Sequence, residues 1–470
     1  MKGYLIIEQI KLFFITFSII TNTCITNAQE LEQICELKLP VVIINTVNNE
    51  IPTCETVYAP EGADGIGKTN VNKVPCSVSI LLHDKILYES GEYKENKSGA
   101  KINVRGNTSS SNPQKPYKLK LEEKADLLMR GNDKLYKDKE WVLVYENDLK
   151  TFIGLTLNKL VDMPYKPEFK PVNVFLNNHY EGLYYLMESV KRNERCRINV
   201  DKETGYIYEY DVYWWQEDYY IPLEFNRHLL AFTIKYPEKE DLTNDRKSYS
   251  ESWLKDLQHS VLYGYSEHYL YLDTCARWIL AQDLLGNSDG GGSNLYFVKE
   301  DSKFETKAYI PTLWDFDGIC NKDHTWSDSH CWGDAFFWYM FNYPNNKFDK
   351  SYCQEWINMN NKNVTEALID SLFRFVHSDE GKDFEVSHRL TSLLYNKSDS
   401  LWSIESRVKE YEDWFTARHQ WMNNKLYKKY PVIMRRLRNE IKSDFIYDVL
   451  GRIVDDTYKG IKIVDGQQCH

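Results

Sequence analysis

Four polar residues in the middle of the chain have the types and spacing of a site that binds a metal ion and a phosphate group. Asp289 and Asn294 lie in the glycine-rich stretch GNSDGGGSN, and Asp315 and Asp317 follow in the segment WDFDG. Carboxylate and amide oxygens are the ligands that hard cations such as Mg²⁺ take in proteins. A carboxylate can also orient a hydroxyl group for transfer of a phosphoryl group. These residues are therefore the candidate site.

Two predicted strands would bring the candidate residues together. LYFVKE (295–300) and KAYIPTLW (307–314) are apolar or alternate, and the polar stretch DSKFET (301–306) between them predicts a hairpin turn. The start of one antiparallel strand lies beside the end of its partner, so Asn294 and Asp315 are expected to be neighbours.

The spacing matches the organisation of a kinase catalytic core. There, a D-x-x-x-x-N loop supplies a base and a metal ligand, and an Asp-Phe-Gly segment supplies the second metal ligand. Asp289 to Asn294 has the first spacing, and Asp315-Phe316-Asp317 stands where Asp-Phe-Gly would be. The competing interpretation is purely structural: Asp289 caps a turn and Asp315 caps a helix.

Length and composition set the scale of the fold. With 470 residues, 42% hydrophobic and 14% aromatic, the chain can bury a large core. Its formal net charge of −11 makes nucleic acid an unsuitable partner, because phosphate backbones require clustered Lys and Arg.

The N-terminus has the features of a secretory signal. An apolar run, LFFITFSII, follows Lys11, and small residues precede Gln29, which predicts a signal peptide over residues 1–28. No later apolar run has the length of a membrane span. We therefore expect a secreted, periplasmic or cell-surface protein. In that oxidising setting Cys35, Cys54 and Cys76 could form a disulfide staple, and Cys320 could pair with Cys331.

The remaining chain divides into three predicted parts and an α+β fold. Residues 29–97 predict a β-rich N-terminal extension. Residues 98–190 predict strand, strand, helix (148–160) and hairpin, which is a small α+β lobe. Residues 191–470 predict a mainly helical large lobe. We therefore expect an atypical two-lobed, protein-kinase-like architecture with an added β extension.

Four ordered motifs resemble the spore coat protein H (CotH) kinase family. The first is RGNTS at 105–109 with KPYKLKL at 115–121, and the second is the hairpin from Val172 to Glu188. The third is the loop from Asn287 to Asn294, and the fourth is WDFD at 314–317. The resemblance spans roughly residues 100–325.

This resemblance implies a secreted atypical kinase that uses ATP with Mg²⁺ or Mn²⁺ and phosphorylates Ser or Thr of extracytoplasmic or surface-layer proteins. It makes Asp289 the catalytic-loop aspartate. Asn294 and Asp315 become metal ligands, assisted by Asp317.

The resemblance also assigns nucleotide contacts. Lys118 or Lys120 would contact the phosphates, with Arg105 lying over them. The backbone from Glu188 to Val190 would form the hinge that meets adenine.

Two alternatives stay open at this point. A catalytically inactive CotH-like scaffold could use the same fold to hold surface components, and the predicted helix 148–160 indeed lacks a Glu to pair with the small-lobe lysine. Three successive glycines, Gly290 to Gly292, would also leave the acidic loop flexible. A carbohydrate-active enzyme would suit paired carboxylates and the 13 Trp residues.

Overall fold

The structure, a computed structural model, describes residues 31–443 except 32, 84, 132–133, 224–229, 327–334, 343–346 and 398–402, and four short strands between 446 and 469. The predicted signal peptide, residues 1–28, lies outside the described residues.

The strands are numbered in chain order. They are β1 (Val41–Thr46), β2 (Glu55–Tyr58), β3 (Ile66–Thr69), β4 (Val74–Leu82), β5 (Lys85–Glu89), β6 (Ala100–Val104), β7 (Tyr117–Ala125), β8 (Asp138–Tyr145), β9 (Phe169–Leu176), β10 (His179–Glu188), β11 (Tyr206–Asp211), β12 (Tyr220–Pro222), β13 (Ala231–Tyr236), β14 (Leu295–Lys299), β15 (Ile446–Asp448), β16 (Ile453–Val454), β17 (Lys462–Val464) and β18 (Gln467–Cys469).

The helices follow the same convention. They are α1 (Lys150–Leu160), α2 (Asn244–Tyr263), α3 (Leu272–Leu285), α4 (Ala335–Asn342), α5 (Phe348–Asn361), α6 (Val364–Val376), α7 (Asp379–Leu394), α8 (Ile404–Lys429) and α9 (Pro431–Ser443). Strands and helices together confirm the α+β class.

The β-rich part is a closed barrel. Its strands run in the order β1, β9, β10, β8, β7, β6 and β4, and β4 pairs back with β1 to close the ring. The contact between β1 and β9 is parallel, whereas β1 and β4 pair antiparallel. Two strands of the predicted extension 29–97 therefore lie in one barrel with the strands of the predicted small lobe 98–190.

Alternating apolar side chains fill the barrel. In β7, Tyr117, Leu119 and Leu121 point inward and are nearly fully buried, while Lys118 and Lys120 point outward. Trp141 of β8 lies in the same interior cluster and is fully buried. A small barrel has room for side chains alone, so this interior is a packed core.

A second sheet and the helices form the other part of the molecule. Strands β12, β13, β11 and β14 pair in that order, all antiparallel. Tyr208 of β11 stacks on Trp253 of α2, with ring centroids 5.6 Å apart. Helix α3, predicted over 273–285, runs from Leu272 to Leu285 and is buried along most of its length.

The predicted hairpin of 295–300 with 307–314 forms only in part. Strand β14 pairs along its length with β11, and a single antiparallel bridge joins Val298 to Tyr309. Beyond that bridge, side chains bind the amides of the second segment: Thr274 accepts from Ile310 at 3.2 Å, and Asn158 accepts from Leu313 at 2.8 Å. Helices α1 and α3 therefore hold this segment in place of a β partner.

Cysteine chemistry differs from the expectation. Cys54 and Cys76 are thiols that are not joined to each other. Cys76 lies inside the barrel, where burial raises its pKa to about 12. Cys320 is also a thiol, and its predicted partner Cys331 lies outside the described residues.

Among the described helices, none combines the length and apolar character needed to cross a membrane.

Candidate functional site

The loop that carries Asp289 begins where helix α3 ends. Gly286 closes the helix with a left-handed backbone, a conformation that glycine adopts without steric cost. Asn287, which is 1% exposed, then donates from Nδ2 to the carbonyl of Asp315 at 3.0 Å. Its Oδ1 accepts from the amide of Asp289 at 3.1 Å. Asn287 therefore fixes the position of Asp289 relative to Asp315.

Close backbone contact continues on the far side of the loop. Ser288 donates its amide to the carbonyl of Gly318 at 3.3 Å. A Cβ at Gly318 would lie 2.7 Å from Asn287 Oδ1 and 3.0 Å from the amide nitrogen of Asp289. Only glycine fits this approach, which explains the glycine that follows the WDFD segment.

The second half of the loop is attached to the end of strand β11. The Ser293 amide donates to the carbonyl of Tyr210 at 2.6 Å, and the Ser293 hydroxyl donates to the carboxylate of Asp211. The amide of Val212 in turn donates to the Ser293 hydroxyl at 3.0 Å. Despite its three glycines, the loop is therefore anchored at both ends.

Asn294 and Asp315, expected to be neighbours, are linked through Asp289 and Asn287. Asn294 is 6% exposed, and its Nδ2 donates to the carbonyl of Asp289 at 2.9 Å. Asn287 makes the remaining link to Asp315. Asp289, Asn294 and Asp315 therefore belong to one hydrogen-bonded network.

Asp315 has the most perturbed carboxyl group of the site. Burial raises its pKa, and the charges of Asp317 and Asp289 raise it further, to about 7, while Arg105 opposes the shift. Burial and Asp317 also raise the pKa of Asp289. Asp315 has a left-handed backbone, with φ 60°. Crowded carboxylates disfavour one another's ionised form, and a bound cation would relieve that repulsion.

Asp317 is exposed and is held by the start of helix α1. The Nδ2 of Asn147 donates to its carboxylate, and the Nζ of Lys150 donates to its carbonyl at 3.0 Å. The same Asn147 accepts from the amide of Thr151 at 3.2 Å, as expected of a residue that caps the helix. Helix α1 therefore positions Asp317.

Asp315 and Asp317 open onto a cleft between the barrel and the helical part. The apolar lining is Pro116, Val144, Met187, Trp314 and Phe316, and the polar lining is Arg105, Ser109, Tyr145, Thr151, Asp315 and Asp317. Asp289 and Asn294 are not among the cleft-lining residues.

Phe316 fixes the acids through close packing. A Cβ at Gly154, in the middle of helix α1, would overlap the Phe316 ring. Phe316 is 3% exposed and belongs to the core. The missing side chain at Gly154 therefore creates the space that Phe316 occupies between Asp315 and Asp317.

Arg105 lies across the cleft from the acids. It follows strand β6, is half-buried and is close enough to lower the pKa of Asp315. Its amide donates to the carbonyl of Pro116 at 2.9 Å, which ties it to the start of β7. The cleft therefore has an acidic floor and a cationic wall.

The two candidate lysines both pair with Glu140 of strand β8. The distance from Nζ to the carboxylate is 2.9 Å for Lys118 and 3.9 Å for Lys120. Burial opposes ionisation of Glu140, but Lys118 and Lys191 lower its pKa to about 2. Neither candidate lysine is among the cleft-lining residues.

Lys118 nevertheless lies on the cleft side of the barrel. It pairs across the sheet with Val142, which pairs with the cleft-lining Met187. Residues paired in this way point to the same face of a sheet. Glu140 of the neighbouring strand β8 is the acidic partner of Lys118 on this face.

The predicted hinge residues have structural partners. Glu188 is 1% exposed, accepts from Arg130 at 2.9 Å and accepts from the amide of Glu168 at 3.0 Å. Its side chain follows Leu186 on the barrel-core face of β10, away from the cleft. Val190 is half-buried and packs against the main core.

A metal ion at this site would take some of its ligands from the protein and the rest from a substrate. Within the described ranges, no three acidic, histidine or cysteine side chains converge closely enough to enclose a metal ion. Mg²⁺ in nucleotide sites is commonly held by one or two carboxylates and the substrate phosphates. The crowding that raises the pKa of Asp315 fits a site of that kind.

Sequence reasoning missed the residues that hold the candidate acids. Asn287, Asp211 and Asn147 contact the loop or Asp317 directly. Asn287 lay within the quoted motif, and its position after the helix-ending Gly286 was the available signal. Asp211 and Asn147 come from distant segments, and no local pattern predicts that either of them contacts the site.

The described residues form a mixed α+β fold built on a seven-stranded barrel, which differs from the expected two-lobed, protein-kinase-like architecture. The sequence pattern described as CotH kinase protein matches residues 102–422, from strand β6 to helix α8. The chain belongs to the CotH kinase family. A comparison with curated proteins gave no match.

Proposed function

We propose that the protein is an ATP-dependent, metal-assisted kinase that phosphorylates Ser or Thr hydroxyls of proteins outside the cytoplasm. The supporting observation is Asp315, whose pKa is raised to about 7 beside Asp289 and Asp317 and opposite Arg105. Such crowding of like charges beside a cleft suits a site that receives a cation and phosphates. Membership of the CotH kinase family supports the same reaction class.

Each residue has a role in the proposed reaction. Asp315, with Asn294 and Asp317, would hold Mg²⁺ or Mn²⁺, which neutralises the charge on the phosphates. Asp289 accepts the proton of the acceptor hydroxyl. The hydroxyl oxygen then bonds to the terminal phosphorus of ATP as the bond to ADP breaks.

The cleft walls contribute binding and orientation. Arg105 contacts the phosphate oxygens, since a guanidinium donates to them in a forked geometry. The apolar lining from Val144, Met187 and Trp314 receives the base. Lys118, oriented by Glu140, supplies positive potential from the sheet face beside the cleft.

Two measurements on the purified protein test this proposal. ATP with MgCl₂ or MnCl₂, at about 100 times its Kd, should stabilise the protein by about 2.7 kcal/mol in thermal unfolding. Labelled terminal phosphate should pass from ATP to the protein itself or to dephosphorylated casein. Asp315→Asn should reduce transfer by about a thousandfold, since it removes charge stabilisation from the transition state.

The control is Asp256→Asn, which changes an exposed acid on helix α2 and should leave transfer unchanged. Absence of both nucleotide binding and transfer would contradict the proposal.

The non-catalytic scaffold is the second candidate. It is favoured by one observation, that Asp289 and Asn294 do not line the cleft. Nucleotide binding without transfer to either acceptor would support the scaffold over the kinase.

A further inference from the structure

A hairpin that precedes the family-matched region contacts the loop that follows the cleft-lining Arg105. Strands β2 and β3 pair from Glu55 with Thr69 to Tyr58 with Ile66, and we call residues 55–69 the N-terminal hairpin. The match to the CotH kinase family begins at residue 102. The N-terminal hairpin therefore belongs to this chain in addition to the part shared with the family.

One side of the N-terminal hairpin packs on the segment that follows strand β11. A Cβ at Gly65 would lie 2.6 Å from the Tyr213 ring, and a Cβ at Gly67 would overlap the Gln216 side chain. Trp215 donates from Nε1 to the carbonyl of Asp64 at 3.1 Å. The two glycines thus allow the hairpin to lie directly on residues 213–216.

The other side contacts the loop that carries Arg105. Lys68 donates from Nζ to the carbonyl of Gly106 at 2.6 Å and to Asn107 Oδ1 at 3.4 Å. Its backbone amide donates to Gln216 Oε1 at 3.3 Å. Lys68 therefore joins residues 213–216 to the loop that follows β6.

Lys68 is held close to positive charge. Burial, the neighbouring Arg105 and Lys235 together lower its pKa to about 8, against the opposing effects of Cys54 and Glu217. A second cation beside Arg105 costs free energy unless nearby acceptors offset it. The Gly106 carbonyl is such an acceptor, and an anionic ligand in the cleft would be another.

We propose that Lys68 is a positioning residue of the nucleotide site: by holding the Gly106 carbonyl, it orients Arg105 and Ser109 towards the phosphates of ATP. Both of those residues line the cleft. The ligand chemistry rests on the proposed function, but the contact between Lys68 and Gly106 can be tested without nucleotide. The N-terminal hairpin on this account supports the cleft wall from outside the cleft.

The nucleotide-free test measures hydrogen exchange of the amides from 106 to 111 in the full chain. Lys68→Met removes the ammonium group and keeps most of the stem, so exchange should become about tenfold faster, as expected for loss of a charge-assisted hydrogen bond. Lys68→Arg keeps a charged donor and should restore slow exchange. Lys73→Met, an exposed lysine that follows the N-terminal hairpin, should change nothing. Unchanged exchange in Lys68→Met would overturn the proposal.

The second test measures the affinity for ATP with MgCl₂ by calorimetry and separates KM from kcat. Lys68→Met should weaken ATP binding and raise KM about tenfold, with kcat within about twofold, because a ground-state binding contact is disturbed. Lys68→Arg should recover most of the affinity. Equal ATP affinity in Lys68→Met and in the unchanged protein would contradict a role in positioning.

The two tests distinguish the two proposals. If the unchanged protein fails to bind ATP, the proposed function fails, and the exchange experiment still decides whether Lys68 orders the loop. If the unchanged protein binds ATP and the Lys68 variants behave in the same way as the unchanged protein, the inference about Lys68 fails and the proposed function stands.

Discussion

The barrel interior and the face of the second sheet that carries Glu209 and Asp211 are both buried, but they are built from opposite kinds of residues. The barrel interior is apolar, with Leu119, Leu143 and Trp141 fully buried. The second sheet buries acids instead: Glu209 is 6% exposed and Asp211 is 3% exposed.

The buried acids of the second sheet are compensated by one lysine. Lys235 lies 2.8 Å from Glu209, 3.6 Å from Asp211 and 3.2 Å from Glu217. Burial raises the pKa of Glu209 to about 7, although Lys235 opposes the shift. Buried ion pairs seldom stabilise a fold more than apolar packing does.

The difference indicates that the two regions have different roles. Apolar packing in the barrel supplies stability, whereas the charged face of the second sheet places a group at the site. Asp211, on that face, accepts from Ser293 and so holds the acidic loop. Substitutions in the two regions should accordingly affect different measurements.

The largest expected effect on stability comes from the barrel. Leu119→Ala should lower the free energy of unfolding by about 2–5 kcal/mol, because it leaves a cavity in a packed interior. The affinity for ATP, measured well below the melting temperature, should stay unchanged. Ile86→Ala, on the flanking strand β5 where the side chain is 53% exposed, is the matched control. A large loss of ATP affinity in Leu119→Ala would contradict the proposal that the barrel interior contributes to stability and not to the site.

A smaller loss of stability, with a direct effect on the site, is expected from Gly154→Ala. The added methyl group overlaps the Phe316 ring, and such overpacking costs about 1–3 kcal/mol. Displacement of Phe316 should also move Asp315, so phosphate transfer should fall more than stability. Thr156→Ala, on the same helix, provides the comparison for unfolding and for transfer. Normal transfer in a folded Gly154→Ala protein would show that the Phe316 position is not required.

The smallest expected effect is a pH dependence at the contact between the end of strand β8 and helix α7. Glu146, which follows β8, pairs with His388 of α7 at 2.6 Å. Burial lowers the pKa of His388, but Glu146 outweighs it and the net pKa is raised; the pKa of Glu146 is lowered by His388 against its burial. The stabilisation is therefore present below the ordinary histidine pKa of about 6.5 and is lost as pH rises through the raised value.

The glutamate sets the lower limit of this window. Its lowered pKa means that its contribution is present above about pH 4.5 and is lost as pH falls through the folded value. Stability lost in His388→Gln should be greatest between about pH 4.5 and 6.5 and should diminish towards pH 8. Chemical unfolding across that range tests this, with exposed His377→Gln as the control. A loss independent of pH would exclude an ionised pair.

Local sequence patterns predicted the elements that are locally determined. The hairpin of β9 and β10 forms around the turn at Asn177, and α3 ends at Gly286 before the acidic loop. Helix α1 begins at Lys150, within the predicted span 148–160, and the preceding Asn147 accepts from the Thr151 amide. In each case, neighbouring residues supply the hydrogen bonds that define the element.

Contacts between distant segments were not predictable in this way. Alternation in β1 predicts a strand, but not that it pairs with β4 on one side and with β9 on the other. The segment from Ile310 to Leu313 has the composition of a strand, yet its amides bind Thr274 and Asn158. Such choices depend on side chains that the fold brings from elsewhere.

Ring closure by β1 has a consequence for any attempt to isolate the kinase-like region. A fragment starting at residue 98, or at the family boundary of 102, would lack both β1 and β4. It would leave β9 and the remaining end of the sheet as open edges, and such edges favour aggregation. The shortest soluble form of this protein should therefore include the segment from Val41 onward. The smallest unit able to fold would then be longer than the region matched to the family.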